Sequence, residues 1–83
     1  MQDEDGYDLF QRGTALLEAG ADHQAAIPLA RARDLAPDKT SVREALGRAL
    51  FHIQHYEDAA EEFRAVIERA ATNDYAQFCL GRC

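Results

Sequence analysis

Eighty-three residues allow one small domain, near the lower size at which a single core holds a fold without disulfides or metals. Alanine is the commonest residue and Val, Ile and Thr are scarce, a balance that favours helix and points to an all-α fold. Fifteen acids against nine bases leave a formal charge of −6, and Lys39 is the only lysine, so nucleic acid and anionic membrane surfaces are disfavoured as partners.

Five helical stretches follow in chain order, at 5–19, 22–35, 41–54, 56–70 and 73 to the end. The acidic run Asp3 to Asp5 suits the positive end of the first helix. Gly20 suits the left-handed residue that would end it. In the second helix Pro28 removes one backbone hydrogen bond, which predicts a mild bend without a break. Pro37 stops that helix. Ser41 with Glu44 three residues on reads as a capping box for the third. The loops are short, so successive helices are expected to run antiparallel.

The chain also repeats itself. Gly13, Gly47 and Gly81 are spaced 34 residues apart. At that offset Leu16 falls on Leu50, Ala25 on Ala59, Ala26 on Ala60, Leu29 on Phe63 and Leu46 on Leu80. A glycine inside a helix costs about 1 kcal/mol relative to alanine, so its recurrence predicts close helix packing that offsets the cost. Gly13, Gly47, Ala25 and Ala59 are the expected points of approach, with Leu16, Leu50, Leu29 and Phe63 filling the space between.

A 34-residue period with two helices per unit is the spacing of tetratricopeptide repeats. Leu46-Gly47-x-x-Leu50 followed by Ala59-x-x-x-Phe63 resembles that family's pattern, as do Gly13, Leu16, Ala25, Leu29, Ala32 and Pro37 one unit earlier. Three positions depart from it: Arg12 stands where leucine is usual, Val66 where alanine is usual, and Ala71 where a closing proline is common. The resemblance implies a stack of antiparallel helical hairpins in a right-handed superhelix, about two and a third repeats: 6–39, 40–73 and a partial third at 74–83.

It further implies a concave groove lined by the first helix of each unit. Mapped position by position, that groove holds Tyr7, Phe10, Thr14, Leu17 and Glu18, then Ser41, Glu44, Arg48, Phe51 and His52, then Tyr75, Phe78 and Arg82. Aromatics with arginine are favoured anchors of protein interfaces, which makes a protein or peptide the expected partner. The competing reading of each aromatic is that it packs against a neighbouring helix. Some family members grip a C-terminal carboxylate with Lys and Asn on this face. Phe10, Thr14, Ser41, Ala45, Arg48, Tyr75 and Cys79 occupy those positions here, and only Arg48 among them can pair with a carboxylate.

The sequence stops at Cys83 within the third unit. The expectation is therefore either a part of a longer array or a second copy covering Phe78, Leu80 and Gly81, that is, a homodimer through the last helix and the groove aromatics. No phosphate loop, nucleophile elbow or metalloprotease motif is present, so no enzyme activity and no cofactor is expected. The acidic pairs Glu57-Asp58 and Glu61-Glu62 read as a solvated helix face. His52 and His55, three apart, and Cys79 and Cys83, four apart, offer an alternative: a metal- or redox-responsive helical protein. An acidic start unlike a secretory leader, with only two cysteines, makes the cytoplasm the expected location.

Overall fold

A computed structural model of the chain describes residues 6–70 and 73–83. The acidic run Asp3 to Asp5 and the proline-replacing Ala71 lie outside the described residues. Five helices follow one another: α1 Gly6–Glu18, α2 Asp22–Leu35, α3 Thr40–His52, α4 Tyr56–Arg69 and α5 Asp74–Arg82. There is no strand among the described residues. α1 packs on α2 and α3 on α4 as hairpins, and α2·α3 and α4·α5 contacts join one hairpin to the next.

The turns repeat as faithfully as the helices. Gly20 takes φ +83°, its N–H donates to Leu17 O at 3.0 Å, and the Ala21 N–H reaches back to Leu16 O at 2.8 Å. That pair of bonds is the Schellman arrangement, which satisfies carbonyls at the end of α1. Thirty-four residues on, Gln54 does the same at φ 67°, with Gln54 N–H to Phe51 O at 3.0 Å and His55 N–H to Leu50 O at 2.8 Å. Helix α3 thus ends at His52, and Gln54 is part of the turn. A left-handed backbone strains any residue with a Cβ, so Gln54→Gly is expected to stabilise the fold by about 1 kcal/mol. Chemical denaturation of the two proteins measures it; equal midpoints would mean that the turn carries no strain.

The joints between hairpins match as well. Ala36 after α2 has φ −139° and ψ 71°, and Ala70 after α4 has φ −142° and ψ 77°. Helix α2 runs unbroken through Pro28, which is buried. The Ser41–Glu44 capping box does not form. Helix α3 starts one residue earlier, at Thr40, with Lys39 as N-cap and no side-chain bond, so Ser41 already sits inside the first turn. The one described N-cap with a side-chain bond is Asn73, whose Oδ1 accepts from the Ala76 N–H at 2.9 Å.

Three buried clusters follow from this order, the smallest of them Leu9, Ala32 and Val42. Leu17, Ala25, Leu29, Ala45, Leu46 and Ala49 fill the space among α1, α2 and α3. Ala59, Phe63, Val66, Ala76 and Cys79 fill that among α4 and α5, with Leu50 and Phe51 of α3 packed against them. A Cβ added at Gly13 would lie 2.4 Å from Leu29 Cγ, and one added at Gly47 would lie 2.8 Å from Phe63 Cζ. Both glycines therefore act as sockets for a large side chain of the second helix. At Gly81, in the same register, a Cβ would meet nothing within 4 Å.

One acidic residue departs from the solvated face expected of it. Glu62 is 4% exposed. Its carboxylate accepts from Arg33 of α2 and, at 3.0 Å, from Arg43 of α3. Arg43 also donates from Nε to Pro37 O at 2.8 Å, so the joint between the hairpins is tied to α4. Glu61 stays exposed, as expected of a helix face.

Candidate functional site

Helices α1, α3 and α5 occupy corresponding places in successive hairpins, and the side chains expected to line a groove can be followed along them. At the α1–α3 end, Tyr7, Phe10 and Ser41 meet in a cleft of about 340 Å³ closed by Ala32, Ala36, Lys39 and Val42. Tyr7 is 66% exposed and its hydroxyl accepts from Gln11 Nε2 at 2.8 Å. Phe10 is half-buried and rests on Leu9, Ala32 and Val42. Thr14 turns its hydroxyl back onto Gln11 O at 3.0 Å, one turn earlier in its own helix. Leu17 is not a groove residue: it is buried in the first core, because its position in α1 faces α2 and α3.

At the α3–α5 end, Tyr75 packs edge-on against Phe63 with ring centroids 6.4 Å apart. Burial first, and Cys79 next, push its phenol up to about 12; Arg48 acts in the opposite direction and Glu44 in the same one. The hydroxyl is hydrogen-bonded to the Cys79 side chain and lies within electrostatic reach of an arginine and a glutamate from the neighbouring first helix. Phe78 is 61% exposed, with the Arg82 guanidinium 5.5 Å above its ring. Cation–π pairs of this kind keep a ring and a charge together at a surface. Phe51 lies half-buried between the ends, edge-on to Tyr56 at 5.3 Å and packed against the second core. It is part support and part surface. His52, exposed, points back to α2, with Nδ1 3.1 Å from Asp22 Oδ1.

No protein-family model matches the chain, and no curated protein matches it. A solved structure does. The crystal structure of YrrB, described as a TPR protein with an unusual peptide-binding site, superposes with a TM-score of 0.93 at 26% identity over 96% of this chain. The protein is tetratricopeptide-like. The chain spans 41% of the length of YrrB, so the likeness covers the hairpin stack and not the whole of that protein.

The tetratricopeptide-like chain does not gather the alternative metal set. No group of three His, Cys, Asp or Glu side chains able to hold a metal ion occurs among the described residues. His52 is taken up by Asp22, and His55 lies 3.9 Å from Asp58, its neighbour in the first turn of α4. Both cysteines are free, Cys79 buried and Cys83 exposed. The Cys83 thiol rests on Cys79 O at 3.2 Å, and desolvation first, then Cys79, push its pKa above the ordinary thiol value. A raised thiol pKa lowers the thiolate fraction, the opposite of what redox-active cysteines need. No described helix of this tetratricopeptide-like chain is long and apolar enough to cross a membrane.

Sequence reasoning missed two features of the site. Lys39 borders the α1–α3 cleft from the joint between hairpins, where a repeat pattern carries no signal for it. Tyr56 supports Phe51 from α4, and its place at the start of a second helix gave no reason to link it with the first helices.

Proposed function

We propose that this chain is a non-catalytic protein-interaction module that binds a peptide or a helix along α1, α3 and α5. The observation that carries the reading is the row of large side chains on these three helices. Tyr7, Tyr75 and Phe78 are exposed, and Phe10 and Phe51 are half-exposed on packed supports. Large apolar groups left in water on so small a surface are the usual mark of an interface. Arg48 adds a cation beside them, which suits an acidic side chain of the bound segment. The peptide-binding site named for YrrB belongs to that protein, and it supports the same kind of ligand here.

The test is selection of binding peptides from a random library on the whole chain, followed by Tyr7→Ala with Phe78→Ala. Both residues are largely exposed, so the double variant should keep its thermal midpoint. Affinity for the selected peptides should fall about tenfold or more, as for truncated aromatic anchors. Unchanged affinity would remove the groove from the proposal.

Closure of the same surface by a second copy is a further reading, favoured by the open surface at Gly81 next to exposed Phe78. Helix α5 has 9 residues, so it is only about 14 Å long. Alone it falls well short of the roughly 800 Å² per partner of a stable interface. A homodimer therefore needs the aromatics of α1 and α3 too, and light scattering across a concentration range on the same double variant separates it from peptide binding.

A further inference from the structure

A second cleft lies between α2 and α4, and none of its lining residues belongs to the expected groove. Helices α2 and α4 both pack on α3 without packing extensively on each other. The space left between them measures about 470 Å³, within the usual range for ligand pockets. Its floor is Leu46 and Leu50 of α3, and Ala26 and Ala30 of α2 are too small to fill it. Ile27 stands at one wall with 67% of its surface exposed, and Ile53 stands at the other.

Apart from Arg33 and His55, the ionisable side chains around this apolar floor are acidic. Arg33 closes one end, but its guanidinium is already held by Glu62 and Asp34. Asp58 and Glu61 rise from α4 along the rim. Asp58 has only His55 nearby, at 3.9 Å, and Glu61 has no ion-pair partner among the described residues. Those two carboxylates border open apolar surface in a chain whose formal charge is −6. They repel nucleic acid and anionic lipid and attract a cation attached to something apolar.

We infer that the α2–α4 cleft is a second docking surface, and that its occupant is a basic amphipathic helical segment of a partner protein. One leucine-like side chain of that segment lies on Ala26, Ala30 and Leu50, beside Ile27. A Lys or Arg one helical turn away, on the same face, reaches Asp58 and Glu61. The inference does not depend on the groove, with which the cleft shares no lining residue.

The experiment uses the whole chain, isotopically labelled, and a synthetic amphipathic helical peptide with leucine and lysine one turn apart. A control peptide carries glutamate in place of each lysine. The lysine peptide should shift backbone resonances around Ile27, Ile53, Asp58 and Glu61, and the glutamate peptide should not. Asp58→Lys with Glu61→Lys should weaken the lysine peptide about tenfold, equivalent to about 1.4 kcal/mol, and should admit the glutamate peptide. Ile27→Ser should abolish binding of either, while Tyr7→Ala with Phe78→Ala leaves it intact. All of these positions are exposed, so loss of fold does not confuse the result. Equal binding of both peptides, no binding of the lysine peptide, or shifts centred on Tyr7, Tyr75 and Phe78 would each overturn the assignment.

Discussion

Glu62→Ala is expected to cost about 3 kcal/mol, near the low end for removing one partner of a buried ion pair. The carboxylate lies almost wholly out of water, and each of its oxygens is committed to a different arginine on a different helix. Its removal leaves Arg33 with only the exposed Asp34 and Arg43 with only the Pro37 carbonyl. Their side chains keep 29% and 20% exposure, so both recover part of their hydration, and this holds the cost below the upper limit. In the native chain burial works against the Arg33 charge, but Glu62 and Asp34 outweigh it and raise the pKa. Without Glu62 the guanidinium still keeps its proton, as arginine does generally, so the charge cannot be shed. Glu62→Gln keeps the shape but turns an amide N–H toward an arginine, and should cost about 2 kcal/mol. In a chain of this size the alanine variant should melt roughly 15 °C lower. Urea denaturation in low and high salt is the deciding measurement. A loss that persists at high salt marks a buried network, and a loss below about 0.5 kcal/mol would mean that Glu62 is solvated like an ordinary surface acid.

That network also shows where the sequence stops being legible. The repeat was visible because it is written in side chains with one dominant role. Glycine at 13 and 47, alanine at 25 and 59, and leucine or phenylalanine at 29 and 63 are packing residues wherever the pattern occurs, and the hairpins assemble on them as expected. Gly20 was legible for the same reason, since a left-handed turn calls for it. Gln54 was not, because glutamine carries no signal for a left-handed backbone; only its offset from Gly20 points to it. Glu62 reads as surface because glutamates on helices usually are. Its burial depends on Arg33 and Arg43, which are 29 and 19 residues away and meet it only after two hairpins stack.

The candidate groove divides along the same line. Tyr7, Tyr75 and Phe78 are exposed, and a position-by-position mapping reaches them. Leu17 maps to the groove by position, yet α1 turns it into the core, because a leucine able to face two neighbouring helices gains more by burial than by exposure. The Tyr75 hydroxyl and its neighbours Arg48 and Glu44 come together only through the approach of α5 to α3, which no spacing within one helix encodes.

Alanine at the three repeating glycines should give effects of opposite sign. At Gly13 the new Cβ would sit 2.4 Å from Leu29 Cγ and 2.6 Å from Cδ2. Leu29 is fully buried, and Cγ is the branch point of the side chain, so the whole group must move. At Gly47 the Cβ would meet three atoms of the Phe63 ring between 2.8 and 3.1 Å, and a rigid buried ring has no small adjustment to make. Overpacking of this kind costs about 1–3 kcal/mol against roughly 1 kcal/mol gained in helix propensity, so each variant should lose up to about 2 kcal/mol. Gly81→Ala meets nothing, and in the last turn of α5 it should gain a few tenths of a kcal/mol, below the full mid-helix value of about 1. The cause is separable by a double-mutant cycle. Phe63→Ala removes the ring that Gly47 accommodates, so Gly47→Ala should be nearly free in that background. If Gly47→Ala costs the same in both backgrounds, the socket is not what the glycine is for. The Gly81 variant then carries a second meaning: a substitution that leaves the isolated fold intact but covers part of the open α5 surface should weaken any self-association or helix docking that seats a side chain there.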